Sequence, residues 1–386
     1  MLLAAGFIGM MMIALMVLAV TAAAIRIRLA WRRASTRPGL VLECDARQET
    51  GFRAPVPRRL PLIECSWWWE FPAHVEADTV RAEDVELITP RRRGAFPLIR
   101  RRASIKDALG LASISWTVSE AADVRILPSR GNLDRMTLIE GLGGGEDLSD
   151  PGGSPEGDRV DMRQYAAGDS PRTILWKVYA HSRRLLVRVP ERAVAAKSRS
   201  CAYLIAGPHD EPGAGFLRVV LERGFLGDGW RFGADGCPGF TGRLEEAIDF
   251  LVRSGSAPAG LPTGFPEFLE RARQDGYAAC MLVLPPVAGA WIPAALSALA
   301  GTPMRIYTYA VVDQLASEAS QPGMLRRVFF LQEKRPMPGG KDLARLASDF
   351  AGSPFPLVLV DRQAGRVFGD LREYGPGRRE APGGGR

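Results

Sequence analysis

Charge is missing from the first 25 residues of this 386-residue chain, Met1 to Ile25. An apolar run of that length is enough to cross a bilayer as one helix. It lacks the basic start of a signal peptide and runs too long for one, although "AVTAAA" offers small residues of the cleavage-site kind. Positive charge sits on the other flank, where Arg26, Arg28, Arg32, Arg33 and Arg37 follow with no acid among them. Basic flanks stay on the cytoplasmic side, so a single-pass anchor is expected, N-terminus out and the bulk of the chain in the cytoplasm.

Histidine and cysteine are scarce. His74, His181 and His209 are the only histidines, which excludes a histidine-rich metal centre. Cys44, Cys65, Cys201, Cys237 and Cys280 are odd in number and widely scattered, with no Cys-x-x-Cys pair. Neither a disulfide framework nor a zinc knuckle is expected. The five arginines of the basic collar account for most of the formal net charge of +7. A solvated collar beside anionic lipid explains the high pI, and no specific nucleic-acid partner is expected.

Two motifs fail for want of a neighbour. "GLGGG" at 141–145 is followed by an acidic, Pro-broken stretch where a dinucleotide loop needs an amphipathic helix. "GDS" at 168–170 resembles a serine nucleophile, but Pro171 stands where a glycine belongs and no base is identifiable. A complete catalytic set is lacking, and no enzyme activity or cofactor is expected.

What is present divides the chain by texture. From about 40 to 140, short runs rich in β-branched and aromatic residues predict a sandwich-like β domain: "LIECSWWWEF", "DVELITP", "AFPLIRRRASI", "LASISWTV" and "DVRILP". Phe96 and Leu98 are placed on one inward face, and the arginines of "PRRRGAFPLIRRRAS" on a charged sheet edge that resists aggregation. The Gly/Pro-rich stretch 141–158 reads as a linker. From 201 to 370, near-continuous apolar runs such as "CAYLIAG", "AACMLVLP", "MRIYTYAVV" and "PLVLVD" alternate with helical patterns. That alternation predicts an α/β, Rossmann-like domain with a parallel sheet covered on both faces. The tail 371–386 has no such pattern. The fold class expected is α+β multidomain, with a transmembrane helix at 1–25, a basic juxtamembrane segment at 26–39, then the two domains.

Between them, at 159–200, lies "MRQYAAGDSPRTILWKVYAHSRRLLVR". Ser170 before Pro171 reads as a helix start, Ser as N-cap and Pro at the first position, with the helix running to about His181 and a strand after it. Arg163, Asp169, Arg172, Trp176 and Lys177 either converge as a recognition surface or are caps and ion pairs of an ordinary helix. The stretch resembles the signature of the bacterial family called domain of unknown function fifty-eight, through Arg163, Tyr165, Gly168, Asp169, Arg172, Ile174, Trp176, Lys177, Ala180, Leu185, Val187 and Arg188. Upstream, "RRGAFPLIRRRASIKDALGLAS" is similar to a second family stretch, with Asp107-Ala108-Leu109-Gly110-Leu111 where the family has Asp-Pro-Phe-Gly-Leu.

The resemblance implies a protein of the bacterial inner membrane whose last domain is von Willebrand factor A-like. It also implies a protein partner, a MoxR-type AAA+ ATPase or another von Willebrand A protein, and a non-enzymatic scaffold role. In metal-binding members of that fold, Asp-x-Ser-x-Ser follows the first strand and supplies hard oxygens to Mg²⁺. Here "PHDEPGAG" follows, with Asp210 and Glu211 but no hydroxyl pair, and a later strand ends in Pro285-Pro286. A degenerate, protein-binding site is therefore expected near Asp210 and Glu211. The alternatives are a Mg²⁺-dependent binder or an enzyme using Asp169 with Arg172, or Asp210 with Glu211, and a lipid- or nucleic-acid-binding surface on the basic clusters.

Overall fold

A computed structural model describes residues 2–31, 36, 39–53, 63–80, 85–133, 160–164, 175–190, 199–257, 263–313 and 340–370. Helix α1 (Leu2–Trp31) is the one described helix long and apolar enough to cross a membrane. It does not stop at the first charge. Val20, Ala24, Ile27 and Trp31, spaced by three or four residues along one face, are buried against the β domain. Trp31 meets Phe52, Trp67 and Trp116 edge-on, with ring centroids 5.4, 5.9 and 6.1 Å away. The segment expected as a separate juxtamembrane collar thus begins as the last turns of α1, because its apolar face has tryptophans to pack on.

Two sheets follow. One has the order β1 (Leu40–Glu43), β7 (Ser113–Leu127), β6 (Gly94–Asp107), β3 (Ile63–Phe71), with β1 parallel to β7 and the other pairs antiparallel. The other is antiparallel, ordered β2 (Gln48–Arg53), β5 (Val85–Pro90), β4 (Val75–Val80). Leu42, Trp69, Ile88, Ile99, Val124 and Ile126 fill the space shared by the two sheets.

The basic cluster is not a sheet edge. β6 has a neighbour on each side, and of its arginines Arg100 and Arg102 point outward and are exposed. A register irregularity between Phe96 and Leu98 changes the parity of β6, so Ile99 is buried and Leu98 only half-buried. Arg101 then points inward. Its Nε and Nη2 donate to Glu86 Oε1 and Oε2, each at 2.8 Å, and Glu86 also accepts from Trp69 Nε1 and Thr50 Oγ1. Two buried charges persist here because the fork is bidentate and the remaining oxygen lone pairs are used.

β8 (Val160–Gln164) and β9 (Leu186–Pro190) form an antiparallel ribbon joined through α2 (Trp176–Ser182). The last domain has a sheet of order β11-β10-β12-β13-β14-β15: β10 (Ser200–Leu204), β11 (Arg231–Ala234), β12 (Ala279–Leu284), β13 (Arg305–Val312), β14 (Leu357–Asp361) and β15 (Arg366–Asp370). All pairs are parallel except β14–β15. Helices α3 (Glu211–Glu222) and α4 (Leu244–Ser254) cover one face. The other is covered by α5 (Phe265–Gln274), α6 (Ile292–Ala300) and α7 (Gly340–Asp349). The coarse class expected from alternating apolar runs and amphipathic helices, a mixed α/β chain with parallel strands behind an apolar helix, is the one observed.

Candidate functional site

In an open parallel sheet, ligands bind beyond the carboxyl ends of the strands, where the strand order reverses. β10 leads outward to β11 on one side and has β12 on the other, so that point lies between β10 and β12. The loop leaving β10 runs to Asp210 at the start of α3, and Asp210 Oδ2 accepts from Gly207 N at 3.0 Å. A Cβ on Gly207 would lie 2.9 Å from the Pro285 side chain, so the loops after β10 and β12 close on each other.

Arg93, from the turn between β5 and β6, reaches the start of α3 beside the last turn of α4. Its Nη1 and Nη2 donate to Asp210 Oδ1 and Oδ2, each at 2.8 Å. Its Nε donates to Leu251 O at 2.9 Å, Nη2 also reaches Ser254 Oγ at 3.1 Å, and its backbone N–H donates to Glu211 Oε1 at 2.9 Å. The side chain is fully buried. Burial works against the charged guanidinium, but the Asp210 and Glu211 carboxylates outweigh it and hold the group more basic than an ordinary arginine. The approach is so close that a Cβ on Gly255 would come within 2.4 Å of Arg93 Cγ.

Two further arginines tie the same domains. Arg218 on α3 donates to Glu43 Oε1 at 3.1 Å and to Pro128 O at 2.7 Å. Arg362, just after β14, forks onto Asp313 at 2.8 and 2.6 Å and sends Nη1 to Ser129 O at 2.6 Å. Gly215 lets the chains meet there, since a Cβ would fall 2.0 Å from Ser129 O. At the rim, Arg130 pairs bidentately with Glu222. Burial pushes the Glu222 carboxyl up, but hydrogen bonds from Arg130 and Arg218 pull it below its ordinary value.

A neighbouring carboxylate is equally committed. Asp235, after β11, accepts from Tyr203 Oη, Thr263 Oγ1, Gly264 N and Ala206 N at 2.8–3.1 Å. Burial raises both Asp235 and Tyr203, and the Asp235 charge raises Tyr203 further. This cluster pins α5 to the β10 and β11 loops. Among the described residues, no group of three His, Cys, Asp or Glu side chains is arranged to hold a metal ion.

Asp210 and Glu211 are therefore brought together, and both face Arg93. Of the signature, Tyr165, Gly168, Asp169, Ser170, Pro171 and Arg172 lie outside the described residues. Arg163 is in register with Val187, and Arg188 with Met162, across the β8–β9 ribbon. The described helix starts at Trp176, five residues later than a Pro171 start. Leu175 is non-helical, and its N–H donates to Leu186 O at 2.9 Å, which holds it beside β9. Trp176 and Lys177 are exposed, and Trp176 packs edge-on to Tyr179 at 6.3 Å.

The sequence reading missed Arg93, Arg218 and Arg362. One signal was present: in "GFLRVVLE" Arg218 interrupts an apolar helical run, a place where an arginine needs a buried acceptor. Comparison of the chain with family models, curated proteins and solved structures finds no match.

Proposed function

We propose that this protein is a non-enzymatic, single-pass membrane scaffold that binds protein partners. Its last domain reads as a degenerate von Willebrand factor A-like unit, supported by five parallel strands, with β10 between the edge strand β11 and β12, and by a ligand point at the start of α3. One observation carries the proposal: the carboxylates at the start of α3 are taken by Arg93 of the neighbouring domain. An internal cation there serves rigidity between domains and leaves Asp210 and Glu211 committed. The protein is then a rigid mount, held at the inner membrane by α1, with its bulk in the cytoplasm.

Exposed Trp176 and Lys177 on α2 supply the partner surface, since a large exposed aromatic is the residue type that anchors interfaces. A MoxR-type AAA+ ATPase or another von Willebrand A protein is the partner that the family resemblance implies. The test is affinity capture of the tagged full chain from gently solubilised native membranes, beside Trp176→Ala at equal abundance. The reading expects such a partner with the parent and its loss with the variant, whose exposed substitution leaves the melting temperature unchanged. Equal capture by both would remove α2 from the docking surface. No capture under varied nucleotide and salt would count against the scaffold itself.

A further inference from the structure

The tip of the β6–β7 hairpin presents two large apolar side chains to solvent: Leu109 is 63% and Leu111 58% exposed. Its backbone is nevertheless closed on itself. Asp107 accepts through its carboxylate from the N–H groups of Leu109 and Ala112, and through its carbonyl from Gly110 N. A turn that ties three of its N–H groups to Asp107 while showing leucines is suited to an apolar surrounding, where unsatisfied donors are costly.

The packing of α1 fixes where this tip lies. Ala103 is in register with Trp67 on one side and Trp116 on the other, and Trp31 sits against both tryptophans. Thr36, further along the chain, donates to Glu120 and accepts from Arg101, so α1 runs toward the hairpin tip as it is followed back from Trp31. From Trp31 to Val20 the helix rises about 17 Å, and from Ala103 to Asp107 the strand advances about 13 Å. Val20 and the half-buried Ala112 and Ile114 belong to one cluster, which agrees with that alignment. Val20 lies about 9 Å along the helix from Arg26, the first charge. Counted back from that charge, a bilayer core needs about 20 apolar residues, reaching about Gly6. Leu109 and Leu111 are thus level with the apolar part of α1, beyond its first charge.

We propose that the β6–β7 tip is a second membrane element, with Leu109 and Leu111 seated at the boundary between headgroups and acyl chains beside α1. Exposed Lys106 at the base of the tip faces anionic headgroups. The occupant is the lipid bilayer, because this apolar patch is continuous with an apolar helix that projects past it. Two contacts fix the orientation of the β domain on the membrane, which one helix alone does not do. The proposal rests on membrane anchorage by α1.

The test uses the full chain in vesicles of phosphatidylcholine and phosphatidylglycerol, carrying a bimane label at Leu109→Cys, Leu111→Cys, Leu15→Cys or Glu245→Cys. The parent taken through the same labelling sets the background. With nitroxide-bearing lipids, the expected result is loss of most emission at 109, 111 and 15, and none at Glu245 on α4. Quenching at 15 without quenching at 109 and 111 overturns the second contact and leaves the anchor standing. Quenching at none of the sites overturns both.

Discussion

Arg93, Arg101 and Arg362 are buried arginines, and each is tolerable only because a carboxylate takes its fork. Their energetics differ from those of Arg130, which pairs at the rim with a half-exposed side chain. Truncating Arg93 leaves Asp210 and Glu211 buried without their cation, so Arg93→Ala is expected to cost about 3–5 kcal/mol in unfolding free energy. Arg130→Ala is expected to cost about 1 kcal/mol or less. Denaturant unfolding of the two variants checks the contrast, and equal losses would argue against it. Glu222 adds a pH dependence. Its carboxyl is held below the ordinary value, so its contribution is fully present above the unfolded-state pKa near 4.5 and is lost as pH falls through the lower folded-state value. Melting temperatures between pH 7 and pH 3 should fall less steeply for Glu222→Gln than for the parent, and parallel curves would contradict the assignment.

At the scale of elements, α3 is the piece both domains share. Every residue from Glu211 to Leu221 is buried, and Gly215 sits where a carbonyl of the β domain passes. Gly215→Ala is expected to destabilise by about 1–3 kcal/mol or more, because backbone on both sides must shift. Retention of the parent stability in a chemical melt would show that the contact yields. Helices α4 to α7 were legible from 3.6-residue periodicity, and β10, β12, β13 and β14 from apolar runs flanked by loops. β11 was not, since "RFGA" is four residues with a glycine, and it is a strand only because β10 pairs with it. The break at Leu175, just before α2, was not legible because local capping chemistry was weighed without the hydrogen bond from Leu175 to β9. The burial of Arg93 and Arg101 was illegible for the same reason, as their acceptors are set by tertiary pairing. The pairing of Asp210 and Glu211 with Arg93 was not legible, since it joins residues more than a hundred positions apart.

For the whole molecule, the consequence is that the β domain and the α/β domain are joined through the buried Arg93, Arg218 and Arg362. Arg93 takes both carboxylate oxygens of Asp210, and its backbone N–H takes Glu211, so the groups a divalent cation would need are already engaged. The measurement that bears on this most directly is thermal unfolding of the purified full chain over a Mg²⁺ titration, with Asp210→Asn alongside. A ligand that binds the native state alone raises the melting temperature as its concentration passes its dissociation constant. No saturable shift is expected for the parent. A saturable rise that disappears in Asp210→Asn would contradict it and return Asp210 and Glu211 to the role of metal ligands.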